Sequence, residues 1–361
     1  MDEIIERIAS WSKGKEEGPF KLQLNPTNNC NQKCRFCWLR DFDNTDFKDE
    51  ISSERYQQLI KEAKSIGVKE IQITGGGEPL IRNDVLEIMG NIKQSKIFGK
   101  LTTNGILFTD ETIEKIVKMK WDEIIFSLDS PYADVNDYLR GTKNSFSKVV
   151  SSIRFFNEFK RRFGSEKPKI VIHTVLCNKN FENLPEMYEF AHKLQCSNVF
   201  IEPIVLLALK SGAGKELTLS EDDKKILPKY LERAKTIARK YKIENNLDSL
   251  EMQFIEKTNR MKEVILDKNS GGLNSIPCYE PWYNIVVRPD GAAGPCCVFD
   301  DKTKGVENIR EKSLKEIWHG AYFKKIRGRI LQNDLPEFCS KCNPSQVAAN
   351  RIIRSSLENI R

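Results

Sequence analysis

Ten cysteines stand in this chain of 361 residues, and eight of them fall into two groups. Cys30, Cys34 and Cys37 lie near the start, and Cys278, Cys296, Cys297, Cys339 and Cys342 near the end. Cys177 and Cys196 stand apart. Thiolates bind soft metals and iron–sulfur clusters, and the run Cys30-x3-Cys34-x2-Cys37 lets three of them face one point. A closed structural zinc site takes four Cys or His ligands, and no fourth lies nearby in the sequence. A [4Fe–4S] cluster on three cysteines leaves one iron open to a further molecule. Loop thiols without metal, or a zinc site completed from afar, are the alternatives that spacing leaves open. In the second group, Cys278-x17-Cys296 and Cys339-x2-Cys342 supply four thiolates. They fit either zinc or a fully ligated [4Fe–4S] cluster.

Six short segments rich in Ile, Val and Leu read as the strands that position these groups: Lys21–Asn25, Glu70–Thr74, Lys100–Thr103, Glu123–Leu128, Lys169–Val175 and Val199–Val205. Helical patterns at Ser53–Ser65, Asn83–Gln94, Asp110–Met119, Ser145–Arg162 and Asn183–Leu194 alternate with them. Consecutive β-then-α units imply a parallel sheet with right-handed crossovers, either a partial (β/α) barrel or a doubly wound sheet. The first cysteine run follows the first strand directly. Thr74-Gly75-Gly76-Gly77-Glu78-Pro79 closes the second strand, Thr103-Asn104-Gly105 the third and Ser127-Leu128-Asp129-Ser130 the fourth. Barrel enzymes carry their catalytic residues at such strand ends.

Residues Ser220–Asp267 read differently, as two charged helical patterns (Leu219–Tyr241 and Leu247–Leu266) without strands. The flexible stretch Asn269–Ser275 follows, then a hairpin signal at Asn284–Arg288 with Pro289-Asp290-Gly291, and a closing helix from about Pro344. The expected organisation is an N-terminal helix (1–19), a barrel (20–206), a helical connector (207–276), a small cysteine-bearing α+β domain (277–345) and a C-terminal helix (346–361).

Composition excludes more than it selects. No apolar run approaches the roughly 18 residues of a membrane-spanning helix. The opening MDEIIERIASW has acids where a signal peptide needs a basic region. A cytoplasmic, reducing setting is therefore expected, in which clustered cysteines bind metal rather than pair. The net charge of +7 is spread along the chain as surface Lys and Arg, which speaks against nucleic acid as a partner.

NNCNQKCRFCW resembles the CxxxCxxC-aromatic signature of radical S-adenosylmethionine (SAM) enzymes. The resemblance implies that Cys30, Cys34 and Cys37 hold a [4Fe–4S] cluster whose unique iron binds the SAM amino and carboxylate groups. Reductive cleavage of SAM then gives a 5′-deoxyadenosyl radical that abstracts a hydrogen atom. Trp38 would sit beside the adenine. Gly76, Gly77 and Glu78 look like the family's GGE motif, in which the carboxylate meets the methionine ammonium. Asn104, Ser127 and Arg140 would complete the cofactor contacts. The fold implied is a partial (β/α)6 barrel.

CYEPWYNIVVRPDGAAGPCC, SLKEIWHGAYFKKIRGRI and LPEFCSKC resemble the SPASM/twitch extension of the same enzymes, which carries auxiliary iron–sulfur clusters. The full SPASM pattern has further cysteines beyond the position of Cys342, which this chain lacks. That suits the shorter twitch form, with one auxiliary [4Fe–4S] cluster on Cys278, Cys296, Cys339 and Cys342. Cys296 fits its spacing better than Cys297.

The reading that follows is a radical SAM oxidoreductase with two [4Fe–4S] clusters. It would dehydrogenate a small polar metabolite such as a sugar or aminocyclitol, with the auxiliary cluster taking the second electron. Radical maturation of a ribosomal peptide is the alternative, in which a thiol such as Cys177 returns a hydrogen atom or a crosslink forms. A non-catalytic iron–sulfur or zinc protein is a third reading, and it leaves Gly76–Glu78 without a role. Flavodoxin or ferredoxin is the expected electron donor. His173, on an apolar strand, reads as a core residue. Tyr279, Trp282 and Tyr283 either line a pocket or pack the late domain.

Overall fold

The computed structural model describes residues 1–41, 49–205, 214–255, 273, 276–299 and 305–359. Ten strands form one sheet: β1 Lys21–Leu24, β2 Glu70–Ile73, β3 Phe98–Thr103, β4 Glu123–Ser127, β5 Lys169–Leu176, β6 Asn198–Pro203, β7 Glu244–Asn245, β8 Asn284–Val287, β9 Ala292–Gly294 and β10 Glu307–Asn308. Strands β1 to β6 are parallel and lie side by side in chain order. A doubly wound sheet reverses its order at a switch point. Here no reversal occurs, and the sheet is an open one of partial-barrel type.

The helices are α1 Asp2–Ser12, α2 Ser53–Ser65, α3 Val85–Gln94, α4 Asp110–Lys118, α5 Ala133–Arg140, α6 Ser145–Arg162, α7 Leu184–Lys193, α8 Glu221–Tyr241, α9 Leu247–Ile255, α10 Leu314–Trp318, α11 Ala321–Leu331 and α12 Pro344–Glu358. Ser52, Thr109, Ser220 and Ser313 cap four of them through side-chain bonds to the first-turn N–H groups. Outward strand residues such as Leu22, Ile71, Leu101, Ile124, Ile172 and Ile201 are wholly buried against this helical layer. Alternate strand residues (Gln23, Gln72, Thr102, Ser127, His173, Glu202) are only half-buried and face inward. The inner face is therefore a lumen that mixes these polar groups with apolar ones such as Val175 and Phe200.

Three features differ from expectation. Helix α5 is an eight-residue element that the sequence reading does not contain; it buries Asn136, Leu139 and Arg140, and Gly141, left-handed at φ 59°, ends it just after Arg140. The connector, read as free of strands, contributes the two-residue β7 beside β6. The late hairpin also joins the main sheet, with β8 parallel to β1 in the register Lys21↔Asn284. The expected Leu247–Leu266 helix is seen to Ile255, and its remainder lies outside the described residues.

Side chains tie the late segments to the early ones. Arg55 Nε donates to Ile309 O at 2.7 Å, and Leu314 N donates to Glu62 Oε2 at 2.7 Å. Arg327 lies over the rings of Trp11 and Trp318 and donates to Pro281 O and Trp318 O, each at 2.9 Å. Ring stacking and these two hydrogen bonds offset part of the cost of burying the cation, whose Nη2 is buried without a partner.

Candidate functional site

The first cysteine loop leaves β1 at Asn25-Pro26 and is pinned to the turn after β2. Gly77 N donates to Thr27 O (2.9 Å) and Glu78 N to Asn29 O (2.8 Å). This approach needs glycine. A Cβ on Gly77 would lie 2.0 Å from Asn29 O, and one on Gly76 2.0 Å from Asn28 Oδ1 and 3.4 Å from the Trp38 ring. The far side of the loop rests on α5, where Arg35 N donates to Leu139 O at 2.9 Å. A Cβ on Gly141 would meet Lys33 O at 2.2 Å.

Within this frame Cys34 is buried, Cys37 half-buried and Cys30 exposed. Burial pushes all three thiols up, Cys37 to about 12, and thiolate charge on Cys34 adds to the rise at both its partners. The buried Arg140 guanidinium opposes the rise at each. Its Nη1 stands 3.9 Å from Cys34 Sγ, and its Nε 2.8 Å from Asp129 Oδ2. Arg140 Nη2 is buried without a hydrogen-bond partner. A buried cation with a spare donor beside three thiols suits an anionic, thiolate-ligated cluster and a carboxylate-bearing ligand.

Glu78 is buried. Its carboxylate accepts from Thr103 Oγ1 (2.6 Å), Asn104 N (2.7 Å) and Leu80 N (3.1 Å). A carboxylate has about four acceptor positions, so most of this one fastens β2 to β3 and little remains for a ligand. Asn104 Nδ2 reaches Asn31 Oδ1 in the cysteine loop at 2.7 Å. Ser127 ends β4 half-buried, opposite His173. Asp129, which the sequence reading leaves without a role, anchors Arg140 and accepts from Val175 N at 2.9 Å. Cys177 has no exposed surface and packs with Leu139 and Leu217, its thiol pushed up to about 11 by burial.

The second cysteine group assembles from three segments: Cys278 before the turn Glu280–Trp282, Cys296 after β9, and Cys339 and Cys342 at the turn Glu337–Lys341. All four, with Cys297, Glu280 and Gln346, line one small cavity. Burial drives Cys278 and Cys296 well above the usual thiol range. Cys296 feels the charges of Cys278, Cys339 and Cys342, whereas Cys297, pushed up to about 11 by burial, feels Glu280 and Glu202. Cys342, in turn, feels Cys297, and both adjacent thiols line the cavity. Among the described residues, no three or more His, Cys, Asp or Glu side chains stand close enough to hold one metal ion. A cubane makes no such demand, since its thiolates bind separate irons. Tyr279, Trp282 and Tyr283 are buried and pack this region.

Between the two groups lies the lumen. At the strand starts, Glu70 pairs with Lys21 (3.8 Å) and Lys100 (3.1 Å), and Lys100 with Glu123 (3.6 Å). Further along, His173 Nε2 stands 3.3 Å from Glu202 Oε2, and Glu202 Oε1 accepts from Ser345 Oγ at 2.5 Å. His173 is therefore an inward-facing residue rather than a core one. The signal for Glu202 was its place in β6, where it alternates with buried Val199 and Ile201 on the opposite face.

Known proteins extend this picture. Residues 24–191 match the family model described as the radical SAM superfamily, and residues 278–343 the one described as an iron–sulfur cluster-binding domain, SPASM. A PqqA peptide cyclase from Granulibacter bethesdensis is 23% identical over 336 residues, 92% of this chain and 81% of its own. A tungsten-containing aldehyde ferredoxin oxidoreductase cofactor-modifying protein from Pyrococcus furiosus is 23% identical over 343 residues, 89% of this chain and 86% of its own. Among solved structures, Streptococcus suis SuiB bound to S-adenosylmethionine superposes with a TM-score of 0.68 at 20% identity, covering 89% of this chain and 71% of SuiB. The structure of anSMEcpe with bound AdoMet gives a TM-score of 0.63 at 17% identity, covering 95% of this chain and 99% of anSMEcpe. The glycine-cradled three-cysteine loop at the strand ends and the separate four-cysteine cavity coincide with the two matched regions, and the chain belongs to the radical SAM superfamily of SAM- and [4Fe–4S]-dependent enzymes, with a SPASM-type auxiliary cluster region.

Proposed function

We propose that this enzyme modifies a peptide, joining or altering residues by radical chemistry. The observation that carries the reading is the alignment with a peptide cyclase over 92% of the chain. An alignment of that span cannot skip residues 207–276, so it relates the connector as well as both cysteine regions. Two features support it: among the described residues the sheet ends at β10 and β7 without closing, and the lumen wall carries polar groups such as Gln23, Gln72, Thr102 and Ser127. Oxidation of a small metabolite, the leading reading from the cysteine count, has the weaker support.

In this reading Cys30, Cys34 and Cys37 hold the SAM-binding cluster, and Cys278, Cys296, Cys339 and Cys342 an auxiliary one. Reduced cluster and SAM, when bound, supply hydrogen-atom abstraction from a substrate carbon. Arg140 balances thiolate charge and offers Nη2 to an acidic ligand group. Gly76 and Gly77 keep the strand-end turn against the cysteine loop, and Trp38 offers a ring face beside them. Glu78 and Asn104 lock the ends of β2 and β3, and Ser127 presents a hydroxyl at the end of β4. The fold holds the reacting carbon in place and keeps bulk water away from it. A one-electron donor such as flavodoxin or ferredoxin starts the cycle.

The test uses extract from host cells grown on deuterated medium, split into peptide and small-metabolite fractions. Each is incubated anaerobically with the reconstituted, reduced enzyme and SAM, and deuterium is measured in the 5′-deoxyadenosine formed. Transfer from the peptide fraction, abolished by prior protease treatment, is the expected result. Transfer from the metabolite fraction alone would sink the peptide reading and restore the metabolite one.

A further inference from the structure

Forming a crosslink removes one hydrogen atom, one proton and one electron from the substrate. The proton needs an acceptor on the lumen wall. Gln23, Gln72, Thr102, Ser127, Val175 and Phe200 face inward there, and none takes a proton near neutral pH. Lys21, Glu70, Lys100 and Glu123 neutralise one another at the strand starts. Near the first cysteine region Arg140 is already a cation paired with Asp129, and Glu78 is held by three donors. Glu280, beside the second region, is occupied by Tyr283, Asn284 and Gln346. Among the described inward residues at this level, His173 and Glu202 are left.

We propose that His173 accepts the substrate's proton and that Glu202 is the positioning residue that orients the imidazole and balances its charge. The geometry is that of a carboxylate-held histidine. Glu202 Oε2 lies 3.3 Å from Nε2, an ion-pair distance once the ring has taken up a proton. The ring stacks on Phe200 with centroids 5.6 Å apart, which fixes its plane. Glu202 is held in turn by Ser345 at 2.5 Å, on the helix that begins just after Cys342. The support of the proton acceptor and two cysteines of the second region thus share one segment.

The inference rests on the peptide reading and commits it to net oxidation. The substrate C–H bond breaks homolytically and its hydrogen leaves in 5′-deoxyadenosine. The substrate radical would form the new bond, then lose one proton to the His173 ring and one electron to the auxiliary cluster that Cys278, Cys296, Cys339 and Cys342 would hold. The product is two hydrogens lighter, and donor and acceptors balance.

The experiment compares wild type with His173→Gln, whose amide can still donate to Glu202, and with Glu202→Gln. Each holoenzyme is given the unlabelled peptide fraction, SAM and reductant. Mass spectrometry counts peptides lighter by two hydrogens per 5′-deoxyadenosine formed. Iron content and deuterium transfer from the labelled fraction are measured in parallel. His173→Gln should keep both while the yield of oxidised peptide falls about a hundredfold or more; Glu202→Gln should fall less. An unchanged ratio in both variants, or wild-type products without mass loss, overturns the proposal. If either variant loses iron, the other decides. Failure of the peptide reading itself is distinguished by absence of peptide-to-5′-deoxyadenosine transfer in wild type.

Discussion

The two cysteine regions solve one ligation problem in opposite ways. The first takes its three thiols from a single loop of eight residues, Cys30 to Cys37, and surrounds it with glycine contacts and one buried cation, Arg140. The second gathers four thiols from three separate segments and has a carboxylate, Glu280, as its charged neighbour. Net charge and hydrogen bonding around a cluster set its potential. Arg140, paired with Asp129, stands beside the first site and the buried Glu280 beside the second, so we propose that the first takes an anionic ligand and the second is closed by protein alone.

That contrast can be broken most sharply at the ligands. Cys34→Ala should reduce 5′-deoxyadenosine release to the level of protein without cofactor, and iron from about eight to about four per chain. Cys339→Ala should lose a similar share of iron yet still cleave SAM, with peptide product absent. If Cys34→Ala still cleaved SAM, the division of labour between the regions would be wrong.

A second test addresses the cradle. Gly77→Ala places a methyl group where Asn29 O stands 2.0 Å away, so the loop must move. We expect a loss of about 1–3 kcal/mol in folded stability by denaturant melts, the usual scale of overpacking. SAM affinity should weaken while iron at the second region is kept.

Acidity sharpens the comparison further. Burial raises the thiols of both regions above the ordinary value of 9.0, Cys37 to about 12. A group with a raised folded pKa binds more protons folded than unfolded between those values, so the stability of cluster-free protein falls as pH rises from about 9 toward 12. Cluster loading has already removed these protons and should abolish the slope. Melting temperatures of loaded and cluster-free protein across that range check this. The smallest effect is expected from Cys297→Ser, which should leave iron content unchanged while Cys296→Ser halves it.

Much of this was legible in the chain itself. The six parallel strands were visible because their residues alternate or run apolar between Gly, Asn and Pro. The first cysteine group was visible because its ligands are local in sequence, and the strand-end motifs because glycine there answers a steric demand. Small-metabolite oxidation was inferred from a cysteine count alone, and a count carries no information about what the lumen admits.

The sequence by itself determined the six parallel strands, the helical layer and the three-thiol loop, since each depends on contacts within a few dozen residues; the absence of a switch point in their order did not follow from it. Only tertiary structure decided the rest. Cys278, the Cys296–Cys297 pair, Cys339 and Cys342 come to one cavity only in the fold. Arg140 acquired its place through contacts between its helix and the distant cysteine loop, and β8 joined β1 through a register that no local pattern encodes. His173 and Glu202 became a pair because parallel strands set inward residues of β5 and β6 side by side. In each case the deciding energy is a contact between residues far apart in the chain, which only the folded molecule brings together.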